Sequence, residues 1–104
     1  MQSMINNKTI LIKQLTAHQK EIKALGVKQL GVFGSFAKGV GIHKDSDVDL
    51  LVEFEQGKKT YDNFMDLSFF LEELLGRKIE LITQQSLSKY IGPHILKQVE
   101  NIIL

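Results

Sequence analysis

At 104 residues, 43% hydrophobic and 24% charged, the chain has the length of one domain with an adequate core and the composition of a soluble globular protein. Its 13 basic and 12 acidic side chains leave a net charge of +1, which gives no general electrostatic reason to bind nucleic acid or an anionic membrane. The absence of cysteine removes disulfides, thiolate metal sites and cysteine nucleophiles, so a metal must be held by oxygen or imidazole. The apolar runs are too short to cross a bilayer. The opening stretch MQSMINNKTILIKQLTAHQK lacks both a basic start before a long apolar segment and a small-residue cleavage site, so a cytoplasmic location is the default expectation.

From Lys8 to Leu25 the apolar residues Ile12, Leu15, Ile22 and Leu25 recur at helical spacing and Gly26 supplies a stop, which predicts an amphipathic helix. A strand follows over Lys28 to Phe33 and ends at Gly34. Ser35 suits the N-cap of a brief helix over Phe36 to Lys38, with Gly39 as its exit. GVGIHKDS reads as a loop, DVDLLVEF as a strand and EQGKKT as a turn. In YDNFMDLSFFLEELLG, residues Tyr61, Phe64, Met65, Leu67, Phe70, Leu71, Leu74 and Leu75 make a wide apolar helical face that stops at Gly76. RKIELIT alternates Ile79, Leu81 and Thr83 with Lys78, Glu80 and Ile82, a third strand. Beyond Ser86 the pattern predicts a short helix, a break near Gly92 and Pro93, and an amphipathic segment through Ile95, Leu96 and Val99.

The unusual feature is acidic. Asp45, Asp47, Asp49, Glu53 and Glu55 crowd into eleven residues in and around the second strand, although aspartate is depleted in strands. Side chains at i and i+2 share a face about 7 Å apart, so Asp47 and Asp49 are expected side by side, with Val48, Leu50 and Val52 turned to the core. Such a pair can be the wet end of a strand, since DSD after a loop is ordinary turn chemistry. It can also share a divalent cation, and hard oxygen donors suit Mg²⁺, which binds through one or two carboxylates plus substrate phosphates. The glycine-serine turn upstream favours the second reading, because a strand opening into a helix start aims backbone N–H groups at an anion.

GSFAKGVGIHKDSDVDLLV resembles the glycine-serine, spacer, aspartate-x-aspartate signature of the DNA polymerase β-like nucleotidyltransferase superfamily, and RKIELIT resembles its later strand with a third acidic residue. The length, together with TYDNFMDLSFFLEELLGRKIELIT, is similar to the minimal nucleotidyltransferase (MNT) proteins of HEPN/MNT toxin–antitoxin pairs. The resemblance implies an α+β (α/β) fold, a small mixed β-sheet with helices packed on it, in a single domain over 1–104 with its motif core at about 26–83. It implies that Gly34, Ser35 and Lys38 bind nucleotide phosphates, and that Asp47, Asp49 and Glu80 are the catalytic, metal-holding carboxylates for two Mg²⁺ ions. Many relatives have arginine at the place of Lys38 and aspartate at that of Glu80.

The implied activity is that of a nucleotidyltransferase of the EC 2.7.7 type, moving AMP from ATP to a hydroxyl of a partner protein. For the MNT relatives that acceptor is a tyrosine of a HEPN toxin, which makes the enzyme an antitoxin working in a homo- or hetero-oligomer. Two other readings stand beside it: an antitoxin that neutralises by contact alone, with Phe69, Phe70 and ENIIL as apolar surface, and transfer to a small molecule or an RNA end. The near-neutral charge speaks against a long nucleic-acid track, and no membrane partner is expected. His18, His43 and His94 lack zinc spacing and are expected on the surface or in loops, His43 within possible reach of nucleotide. Tyr61 and Tyr90 are expected to pack, and Arg77 and Lys78 to form a solvated strand start.

Overall fold

In the computed structural model, which describes residues 5–43, 45–90 and 92–102, the chain enters through two short helices, α1 (Lys8–Ala17) and α2 (Gln19–Ala24). Asn7 starts α1 by accepting the Ile10 N–H on its side-chain oxygen at 2.9 Å. The single helix expected over 8–25 is divided at His18, whose backbone leaves the helical well at φ −110° and ψ 23°. The His18 ring lies 2.6 Å from Glu21 Oε2 and edge-on to Phe70. Leu11, Leu15 and Ile22 form the buried stripe, while Ile12 and Leu25 are only partly covered.

Strand β1 (Val27–Phe33) runs out at Gly34, which turns the chain at φ +72° straight into α3 (Gly34–Lys38). The helix therefore begins earlier than expected, with Phe33 rather than Ser35 in the capping position and no side chain capping it. Glycine makes this possible, because a positive φ folds the strand end directly into the first helical turn. Gly39 closes α3 in the left-handed conformation, its N–H bonded to Ser35 O at 2.9 Å.

Strand β2 (Val48–Phe54) pairs antiparallel with β1 and buries Val48, Leu50 and Val52 completely. Helix α4 (Tyr61–Leu75) starts at Thr60, whose hydroxyl accepts the Asn63 N–H at 3.1 Å, and ends on left-handed Gly76. Its face of Leu67, Leu71 and Leu75 is fully covered, each side chain contributing about 1.5–3 kcal/mol by burial. Tyr61, expected on that face, is 77% exposed, and Tyr90 is 75% exposed, so neither packs into the core. Strand β3 (Ile79–Thr83) then lies parallel to β2, the α4 crossover making a βαβ unit.

A 3₁₀ turn over Gln84–Ser86 and helix α5 (Gly92–Gln98) lead to β4 (Glu100–Ile102), antiparallel to β1. The four strands stand in the order β3-β2-β1-β4, a mixed sheet with helices on it, which is the expected α+β arrangement. β4 itself was not expected. Ile102 is buried opposite Leu30, so this part of ENIIL belongs to the core and offers no contact surface. Ile103 and Leu104, the rest of that stretch, lie outside the described residues, as do Met1 to Met4 of the opening stretch and Lys44 of the loop. Among the described residues no helix is long and apolar enough to cross a membrane.

Candidate active site

Strand pairing sets out the site. Phe33, the last residue of β1, is the register partner of Asp49, and Asp49 is in turn the partner of Glu80 on β3. The Gly34 bend, Asp49 and Glu80 therefore stand in a row at one end of three adjacent strands. A Cβ placed on Gly34 would overlap Asp49 Oδ2, so the bend lies directly against that carboxylate as only glycine permits.

Asp49 and Glu80 line one cleft of about 420 Å³, walled by Phe33, Ile82, Leu87 and Ile95. Burial raises the Asp49 carboxyl above its ordinary value, and the charges of Glu80 and then Asp47 add to the rise. Asp47 stands just ahead of β2, whose first ladder residue is Val48, and lines a neighbouring hollow with Arg77 and Lys78. The ladder does not hold Asp47 beside Asp49 as simple alternation predicts. Among the described residues no three His, Asp or Glu side chains are gathered closely enough to enclose an ion, but the fields of Glu80 and Asp47 both reach Asp49. Such mutually repelling hard oxygen donors fit Mg²⁺, which takes its remaining ligands from water and phosphate. Ser35 is half-buried in the first turn of α3, and Lys38 is its exposed last residue.

Residues 13–103 match the nucleotidyltransferase domain model. The chain belongs to the nucleotidyltransferase family. It is similar to a protein adenylyltransferase, MntA, of Thermococcus cleftensis, at 42% identity over 86 residues, 82% of this chain and 85% of that one. A solved chain described as a minimal nucleotidyltransferase superposes with a TM-score of 0.78 at 30% identity, covering 98% of this chain and all of that one. A chain from a toxin–antitoxin crystal structure with AMP-PNP superposes at a TM-score of 0.64 and 21% identity, over 93% of this chain and 73% of that one, a likeness of fold.

The nucleotidyltransferase has parts that its motifs do not announce. Ser86, Leu87, Ser88 and Ile95 border the cleft, yet QQSLSK carries no spacing that distinguishes it. Ile95 arrives there on α5, which packs on α3, whereas Ser86 to Ser88 come from the 3₁₀ turn after β3, which lies against β2, and the residues that follow it. Arg77 is not a solvated strand start: its Nε donates to Ile5 O at 2.8 Å, and its Nη1 donates to His43 O at 2.8 Å and Ser46 O at 2.9 Å. The His43 ring is engaged within its own loop, Nδ1 accepting the Asp45 N–H at 3.2 Å.

Proposed function

We propose that this nucleotidyltransferase transfers AMP from ATP to a hydroxyl of a partner protein in the cytoplasm, the acceptor being a tyrosine of a HEPN-domain toxin that is thereby silenced. The observation that carries the reading is the row formed by the Gly34 bend, Asp49 and Glu80 on three adjacent strands. The 42% identity with a protein adenylyltransferase supports a protein as acceptor.

In this reading the backbone at Gly34 and Ser35 receives the phosphates, and Lys38 adds a point charge at the far end of α3. Asp47, Asp49 and Glu80 would hold two Mg²⁺ ions. When bound, these ions supply charge stabilisation to the attacking and departing oxygens. The acceptor oxygen forms a bond to the α-phosphorus, the bond from that phosphorus to the bridging oxygen breaks, and pyrophosphate leaves with the electron pair. In this reading Glu80, which is exposed at the cleft and one strand away from Asp49, takes the hydroxyl proton. Phe33, Ile82, Leu87 and Ile95 give one side of the cleft an apolar wall.

Incubation with labelled ATP, Mg²⁺ and the product of the neighbouring toxin gene tests this reading. Label should appear on a toxin tyrosine with the wild type and vanish with D49A. Absence of label on any protein overturns the reading. Neutralisation of the toxin that survives a D47A/D49A double variant identifies inhibition by contact instead.

A further inference from the structure

Arg77 is the only arginine in the chain, among 13 basic residues. Its guanidinium joins segments that are far apart in sequence. Nε holds Ile5 O ahead of α1, Nη1 holds the carbonyls of His43 and Ser46, and the group lies 5.1 Å from the centroid of the buried Phe36 ring in α3. The loop it grips is tied internally: His43 N–H donates to Ser46 Oγ at 2.9 Å, and Ser46 N–H donates to His43 O at 3.0 Å. The residue after Ser46 is Asp47.

We infer that Arg77 is a positioning residue for the candidate metal site, gripping the chain at His43 and Ser46 and so fixing Asp47 at the head of β2, next to the strand ends that carry Asp49 and Glu80. The inference rests on the reading of these carboxylates as ion ligands. It follows from the limit of the ladder, which starts at Val48 and leaves Asp47 outside the pairing, between Ser46 of the loop and Val48 of the strand. Val48 N–H bonds to Lys78 O at 3.0 Å, so the loop end and the start of β3 are joined, with Arg77 immediately upstream. Only a planar fork of donors reaches carbonyls in separate directions while its flat face covers a ring; a lysine ammonium keeps the charge and loses that geometry.

The test uses Mn²⁺ as a probe, with binding followed by electron paramagnetic resonance on the full chain. R77K is expected to weaken Mn²⁺ binding roughly tenfold, the lower end of what losing a group that orients a ligand costs. It should also speed amide exchange at Ser46 while β1 and β2 stay protected. By linkage, an ion that Arg77 helps to place must in turn tighten the Arg77 contacts. The single arginine Nε–H resonance of the wild type should therefore exchange several-fold more slowly once Mg²⁺ is added, a measurement that needs no folded variant. Equal Mn²⁺ affinity in a folded R77K, or an Nε–H exchange rate indifferent to Mg²⁺, overturns the inference and leaves the site reading standing. A wild type that binds no Mn²⁺ overturns both.

Discussion

A carboxylate that is half covered and faces two others destabilises the folded chain until a positive charge arrives. Asp49 is in that position, its proton affinity raised by burial, by Glu80 and by Asp47. Because the folded pKa lies above the unfolded one, the folded state binds more protons between the two values, and stability falls as pH rises through that window. The penalty then persists at neutral pH. Asp49→Asn should accordingly melt higher than the wild type at pH 7 in chelator, with the difference closing below about pH 4, where the unfolded aspartate also protonates. Calorimetry at the two pH values checks this, and Mg²⁺ should raise the wild-type melting temperature more than that of the variant. Nucleotidyl transfer by the same variant should drop at least a hundredfold, on the order of a lost ligand position. Gly34→Ala belongs beside it. The positive φ costs about 1 kcal/mol for alanine, and the new methyl must displace Asp49, so transfer should fall much further than the modest loss in melting temperature explains.

Elements carry the site through their ends. Helix α4 returns the chain from β2 to a parallel β3, and its start depends on the Thr60 hydroxyl and on Asn63 Nδ2, which donates to Lys58 O at 2.8 Å. Thr60→Ala should cost about 1 kcal/mol in urea unfolding and leave transfer unchanged where the protein is folded, because the cap lies away from the carboxylates. These elements were legible in the sequence for plain reasons. The apolar spacing of Leu67, Leu71 and Leu75, the alternation of Val48, Leu50 and Val52, and the glycine stops at positions 39 and 76 are local patterns, and local geometry obeyed them. What escaped was set by packing. The split at His18 is not written in the apolar spacing, since Leu15 and Ile22 continue one stripe across it. Alternation placed Asp47 on the strand, but pairing stops at Val48 and a loop held by Arg77 takes over. A three-residue β4 is too short to show a period. Its trace was Gly31, a glycine in mid-strand, because a Cβ there would strike Val99 Cγ1 and crowd Asn101 Oδ1 as β4 draws alongside.

At the scale of the molecule, β4 closes the sheet from the opposite end of the chain. Its grip is narrow: the pairing of Leu30, Gly31 and Val32 with Ile102, Asn101 and Glu100, a Gln29 Nε2 bond to Ile102 O at 3.0 Å, and the half-exposed ion pair of Lys8 with Glu100 at 3.2 Å. The ion pair adds at most about 1 kcal/mol in that setting, so the buried Ile102 side chain dominates. The helix just before it, α5, supplies Ile95 to the cleft and rests on α3, which means the last strand anchors a wall of the site. Ile102→Ala should cost about 2–4 kcal/mol, a large fraction of what a small domain possesses. The loss should be uneven. β1 and β2 remain paired through six partners, and their buried residues stay in the common core, whereas α5 and β4 lose their anchor, so amides of 92–102 should exchange together and fast while those of β2 stay protected. Transfer should then decline at temperatures below global melting as the cleft wall loosens, and Lys8→Ala should show neither effect. Uniform acceleration of exchange across all four strands would mean that the sheet opens as one unit and that β4 has no separate hold on the cleft.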